Sequence, residues 1–383
     1  MKKGVLLMVF LVFAGVIAVL AIGVLSCLDW WKKHVPASQV FFWGITVVLL
    51  VNMFFTAFAV KTITIKPLKE VMIFLSAITF IVLIYTSLIM TLKYIISFLM
   101  GGFVKPTNHF YRFIKETHRT VPILLVLTMI LGIVGYIHMG QIVTKEYEIN
   151  TEKKSKNKQL TAAVVADTHI GIAAHKGDID EIISQINDIK PDVVLLLGDI
   201  FDENTSTDEK EYFAENFKDV KSKYGSFYIY GNHDDEGRID CEEYIRQAGI
   251  KVLADDTAVI GGDITLIGMN SEYAGSGDKI ERIIKDKKVD VKKPVIVLKH
   301  EPLGLQEIAD AGADVSMHGH THGEQFPLTY IPFSFMNDMM CGTKKFGEMT
   351  AFTTQGAGGW GFHFKLPASS EVAKVTINFG VKD

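Results

Sequence analysis

Three histidines stand within five positions in MHGHTHGEQ, residues 317–325: His318, His320 and His322. One histidine alone is more often a polar core residue with a satisfied hydrogen bond than a ligand. Imidazoles at alternate positions between glycines suit metal coordination better. The preceding LGLQEIADAGADVS reads as a helix, a turn and a short apolar strand, so the histidines fall where a strand gives way to a loop. Their chemistry depends on whether other parts of the chain deliver partners to the same place.

Several other segments have the same form. QLTAAVVADTHIG, PDVVLLLGDIFDE, SFYIYGNHDDEG and KKPVIVLKHEP are each an apolar, β-branched run ending in acidic, amide or imidazole side chains. Between them, DIDEIISQINDIK and DEKEYFAENFKDVKSKYG have helical character. Alternating strands and helices, with strands apolar throughout, predict an α/β fold with buried strands. In such folds ligands collect at the carboxyl ends of the strands. The polar clusters lie there: Asp167 with His169, Asp199 with Asp202, Asn232 with His233 and Asp234, His300, and His320 with His322. Mixed carboxylate and imidazole ligands suit Mn²⁺, Fe or Zn²⁺ and argue against a thiolate site. They are too many for one ion, and two metals about 3.5–4 Å apart form the usual clamp for in-line displacement at phosphorus. Gly198, Gly231, Gly319 and Gly323 let the backbone turn sharply beside them.

The ordered series DTH (167–169), GDIFD (198–202), GNHD (231–234), His300 in LKHEP and GHTH (319–322) resembles the calcineurin-like metallophosphoesterases over residues 160 to about 380. The resemblance implies two packed mixed β-sheets flanked by helices and two divalent metal ions, Mn²⁺ first, with Fe or Zn²⁺ as alternatives. It implies that Asp167, His169, Asp199 and His322 hold one ion, and that Asp199, Asn232, His300 and His320 hold the other, with Asp199 bridging. His233 would contact the phosphate and protonate the leaving oxygen, and Asp202 would orient His233. His318 lies outside the motif and reads as structural. The C-terminal segment is similar to a membrane-associated branch that includes UDP-2,3-diacylglucosamine pyrophosphatase-like enzymes. That branch usually has Arg where this chain has Lys365, and Lys lacks bidentate phosphate contact. Glu324 replaces a common Gly.

The first part of the chain is different in kind. Of 383 residues, 49% are hydrophobic, and mean hydropathy is +0.25. The excess lies in apolar runs at 5–27, 40–60, 71–92 and 121–143, each long enough to cross a bilayer and free of Asp, Glu, Lys and Arg. Residues 1–144 are therefore expected to be a transmembrane region of four helices, with 145–159 a charged linker and 160–383 the phosphoesterase domain. The first run could also be a signal peptide, and VLSC hints at lipidation of Cys27, but its length and the spans after it favour an uncleaved helix. The chain reads as a multi-pass protein of the cell membrane. The positive-inside rule leans slightly to the arrangement with Lys2, Lys3, Lys61, Lys66, Lys69 and the Lys145–Lys158 segment inside, but the basic connector before the last span pulls the other way, so the face of the domain is left unassigned.

A net charge of −4 carries no nucleic-acid signature. The three cysteines suggest neither a disulfide framework nor a thiolate zinc site. The expected partners are the bilayer and a phosphorylated lipid or nucleotide-linked substrate. The expected activity is hydrolysis of a phosphodiester or pyrophosphate bond. A non-catalytic membrane sensor or scaffold would be expected to have lost ligands, and none is missing. A transporter would need ionisable residues that the spans lack.

Overall fold

The computed structural model describes residues 3–105, 107–171, 173–234, 239–271, 276–327 and 330–382. It divides into two compact units, residues 1–56 with 65–136, and residues 57–64 with 137–383.

In the first unit, α1 (Lys3–His34), α2 (Gln39–Ala59), α3 (Lys66–Gly101) and α5 (Thr117–Met139) are long and apolar enough to cross a membrane; the short α4 (His109–Lys115) precedes the last of them. The helix bounds differ from the apolar runs that identify them. α3 has 36 residues, extends past the expected 71–92 at both ends and carries Lys93, whereas α5 begins before residue 121 and stops at Met139, short of residue 143. Hydropathy marks the apolar stretch, whereas backbone hydrogen bonding sets the helix ends, and Ile142 and Val143 of the fourth run belong to β1. Small and hydroxyl side chains make the close contacts. Gly23 packs against Ser87, where a Cβ would collide, and Thr86 and Thr128 hydroxyls lie 3.3 Å apart.

The second unit contains two six-stranded sheets, ordered β1-β12-β2-β3-β4-β5 and β10-β11-β9-β8-β7-β6. The strands of the first are β1 (Ile142–Thr151), β2 (Gln159–Val165), β3 (Val193–Leu196), β4 (Ser226–Tyr228), β5 (Lys251–Val252) and β12 (Ser370–Phe379). Those of the second are β6 (Asp256–Ile260), β7 (Ile264–Gly268), β8 (Val295–Leu298), β9 (Val315–His318), β10 (Gly342–Phe346) and β11 (Met349–Thr353). The helices are α6 (Lys176–Ile189), α7 (Thr207–Asn216), α8 (Ile239–Gln247), α9 (Ser276–Asp286), α10 (Leu305–Asp310) and α11 (Tyr330–Ser334).

The period-two geometry of strands explains why these runs are apolar throughout. Ala162, Val164, Val193 and Leu195 face a core shared with Ile296, Leu298, Val315 and Met317 of the other sheet. Their alternates Ala163, Val165, Val194 and Leu196 face Ile179, Ile182 and Ile186 of α6 and Phe213 of α7. Val295 and Val297 similarly meet Ile280 and Ile283 of α9. Each such Val, Leu, Ile, Met or Phe side chain contributes roughly 1.5–3 kcal/mol by burial, and the alanines less.

Residues 145–159, expected to be a linker, are largely folded. β1 pairs in parallel with β12 from Ile142 to Thr151. Its charged residues belong to a half-buried edge strand: Ile142, Ile149 and Thr151 are buried while Lys145 and Tyr147 reach Glu371. Two residues, Gly140 and Gln141, separate α5 from β1.

Candidate metal centre

β2, β3 and β4 run parallel in one sheet, and β8 and β9 run parallel in the other. Each therefore sends its following loop the same way as its neighbour's. The loop after β2 carries Asp167 and His169, that after β3 Asp199, that after β4 Asn232 and His233, that after β8 His300, and that after β9 His320 and His322. Asp167, His169 and His322 form one group whose ligand atoms lie within 4.8 Å of one another, and Asp167, Asp199 and His300 form a second. Asp199 Oδ2 is 3.6 Å from His169 Nε2 and 3.1 Å from His300 Nε2. Asp167 Oδ1 is 3.7 Å from His300 Nε2 and 4.0 Å from His322 Nε2. Two ligands of one ion at about 2.0–2.2 Å stand roughly 3–4.4 Å apart, depending on the angle at the ion, so all four spacings allow shared coordination, and all but the 3.1 Å one are too long for a direct hydrogen bond.

The cluster fits a cation on independent grounds. Asp167, His169, Asp199 and His300 are buried, and His169 Nδ1 and Nε2, His300 Nε2 and His322 Nδ1 have no hydrogen-bond partner among the described residues. Buried polar atoms without partners are costly unless something else satisfies them. Burial raises Asp167 to about 6, and it pushes His169 down to about 3. Burial also opposes the charge on His300, but Asp199 beside it raises that imidazole to about 10.

The backbone is strained where the candidate ligands sit. Asp167, His169, Asp199, His320 and His322 have φ of 55°, 45°, 53°, 72° and 53°. The left-handed region costs a non-glycine residue on the order of 1–3 kcal/mol and persists where surroundings impose it. Part of the restraint is Asp234, whose buried carboxylate accepts from the backbone N–H groups of Asp199 and Gly231. Any side chain at Gly231 would collide with the Asp199 carboxylate, which gives that glycine its reason.

Asn232 and His320 lie together, with His320 Nδ1 2.8 Å from Asn232 Oδ1, and the His320 ring is 5.3 Å from that of His300. The His320 backbone N–H donates to Asp167. His233 is tied to the centre by its backbone N–H, which donates to Asp199 Oδ1 at 2.9 Å. Its ring is edge-on to His169 at 5.1 Å and 5.6 Å from Trp360, a half-exposed side chain. His318 is buried, with Nδ1 2.8 Å from Lys299 O and Nε2 3.0 Å from Ser316 Oγ, the contacts of a structural histidine.

One expectation needs correction. Asp202 does not hydrogen-bond His233. Its Oδ1 accepts from Asn204 N at 2.6 Å, an inward-facing turn contact, and burial raises it to about 7. The carboxylate on His233 Nδ1 is that of Glu203, at 3.2 Å. Lys61, from the segment Ala57–Thr64 of the same unit, donates to Glu203 O at 2.8 Å. Lys365, which stands where the resembling branch usually has Arg, is fully buried, and its ammonium donates to the carbonyls of Gln355, Gly356 and Gly358. The sequence offered a sign of Glu203, the acid next to Asp202, but none of Trp360, which arrives from a loop over a hundred residues later.

Residues 160–324 match the calcineurin-like phosphoesterase family model. Among curated relatives, a zebrafish transmembrane protein with metallophosphoesterase domain is 27% identical over 68% of this chain and 63% of its own length. The chain thus spans less than two thirds of that relative. A metallophosphoesterase of Campylobacter jejuni is 29% identical over 73% of this chain and 74% of the relative. Phosphodiesterase YaeI of Escherichia coli is 29% identical over 51% of this chain and 73% of the relative. Over residues 160–324 the chain is thus similar to the calcineurin-like phosphoesterases, in keeping with the ordered candidate ligand series and the two-sheet architecture, and it also carries four helices long and apolar enough to cross a membrane.

Proposed function

We propose that this protein is a membrane-anchored dimetal phosphoesterase that hydrolyses a phosphodiester or pyrophosphate bond in a lipid-linked or nucleotide-linked substrate of the UDP-2,3-diacylglucosamine type. The observation that carries this reading is the pair of candidate ligand groups sharing Asp167, in a chain with four apolar helices. Asp167, His169, Asp199 and His322 hold one ion; Asp199, Asn232, His300 and His320 hold the other. Mn²⁺ suits the mixed oxygen and nitrogen donors, with Fe or Zn²⁺ as alternatives. When bound, a metal pair neutralises phosphoryl oxygens and makes water a competent nucleophile near neutral pH. His233 binds the phosphoryl group and delivers a proton to the leaving oxygen, a role suited to an imidazole held at the rim by its backbone bond to Asp199. Glu203 fixes the orientation of the His233 ring.

The test is hydrolysis of bis-p-nitrophenyl phosphate by the full chain in detergent, before and after chelation and Mn²⁺ return, followed by lipid-linked and nucleotide-linked pyrophosphates. Activity that disappears on chelation and returns with Mn²⁺ is expected. Inertness toward every ester after metal return, with two ions bound, would leave the scaffold reading in its place.

A further inference from the structure

Soon after the ligand loop, large apolar side chains turn outward. Tyr330, Ile331 and Phe333 of α11, then Phe335 and Met336, are exposed, Phe335 to 86%. Isolated exposed apolar residues are ordinary, but a dense run of them marks a contact surface. We propose that these five residues dock the catalytic domain onto the bilayer surface, with their side chains in the boundary between headgroups and acyl chains.

Three observations select lipid as the occupant. The first is composition: aromatic rings beside Ile and Met are the mixture found in segments that lie in a membrane interface. The second is charge. β10, the edge strand that follows, exposes Lys344 and Lys345, cations suited to anionic headgroups. The nearby acids are Asp338, whose Oδ2 accepts from Leu305 N, and Glu348 at the hairpin turn, which is exposed. The third is tethering. Two residues join α5 to β1, a reach of about 7 Å when extended. A domain held so close meets lipid as an effectively intramolecular partner, so a short apolar run that would bind weakly in free solution is enough.

The same segment continues from the wall of the metal centre. Gln325 accepts from Trp360 N at 2.8 Å and donates to Trp360 O at 3.1 Å, and Phe326 stacks on Phe364 at 5.5 Å. Docking would therefore hold the mouth beside His233 and Trp360 toward the headgroups. That consequence rests on the phosphoesterase reading above; the lipid contact itself does not.

The test uses the full chain in nanodiscs containing anionic lipid. Phe335→Cys, in a Cys27→Ala and Cys341→Ser background, carries a nitroxide whose depth is read by power-saturation EPR. Met336→Cys serves as a second position and Lys251→Cys as the exposed comparison. The expected result is a label about 5–10 Å below the headgroup level at Phe335 and Met336, with oxygen collisions dominating over those of a water-soluble nickel chelate. Nickel accessibility equal to that at Lys251 overturns the proposal. Dipolar broadening that vanishes in singly occupied discs also overturns it, assigning the face to a second copy. A buried label in a protein that cleaves no ester supports the docking and removes the phosphoesterase reading instead.

Discussion

Cutting the chain between β1 and β2 should cost most of the stability of the phosphoesterase domain, although every candidate metal ligand lies beyond the cut. A fragment beginning at Gln159 lacks β1, and one beginning at Gln141 keeps it. Without β1, the buried side chains Ile142 and Ile149 are lost, each contributing about 1.5–3 kcal/mol. Tyr147, which donates to Glu371 at 3.0 Å, and Lys145, whose Nζ is 3.7 Å from it, are lost as well. Glu371 is fully buried, so losing those partners is expensive, discounted because Lys145 is partly exposed. β12 also loses its parallel partner along ten residues and becomes an unprotected edge. A total of at least about 5 kcal/mol is comparable to the whole stability of many domains. At roughly 2–4 °C per kcal/mol for a unit of this size, the Tm should fall by about 10–20 °C or the fragment should fail to fold. Thermal denaturation and Mn²⁺ content of the two fragments, measured side by side, decide it. Equal Tm and metal content would refute the reasoning and restore residues 145–159 to the role of a linker.

Asp199→Asn should lower bound metal and abolish hydrolysis, since Asp199 Oδ2 lies between His169 and His300; two ions per chain by elemental analysis would contradict the assignment. His233→Ala should keep both ions and lose about 10²–10⁴-fold in rate, with a smaller loss for esters that have good leaving groups. Glu203→Gln should lose about 10-fold or more with metal retained and the same leaving-group trend, whereas Asp202→Asn should show its effect in thermal stability; the opposite pattern would return the orienting role to Asp202. Lys365→Met should destabilise by about 1–3 kcal/mol or more, because three buried carbonyls lose their donor; a stable variant with only a raised KM would instead make Lys365 a substrate contact.

The candidate ligand series could be picked out because coordination chemistry favours a few residue types, and the strand pattern predicts where they emerge. Asp167, His169, Asp199, Asn232, His300, His320 and His322 each follow a strand recognisable from its apolar run, and the strands prove parallel within each sheet. The four apolar helices were legible for a similar reason, since hydrocarbon imposes length and composition together. Tertiary structure decided the rest. The charges of residues 145–159 are equally those of a solvated linker and of an edge strand with one wet face, and only pairing with β12, over two hundred residues later, separates them. Asp202 and Glu203 are adjacent acids, and the turn that spends Asp202 Oδ1 on Asn204 N gives His233 to Glu203. In each case the residue type was compatible with both roles, and the partner that settled it was distant in sequence or oriented by a local turn.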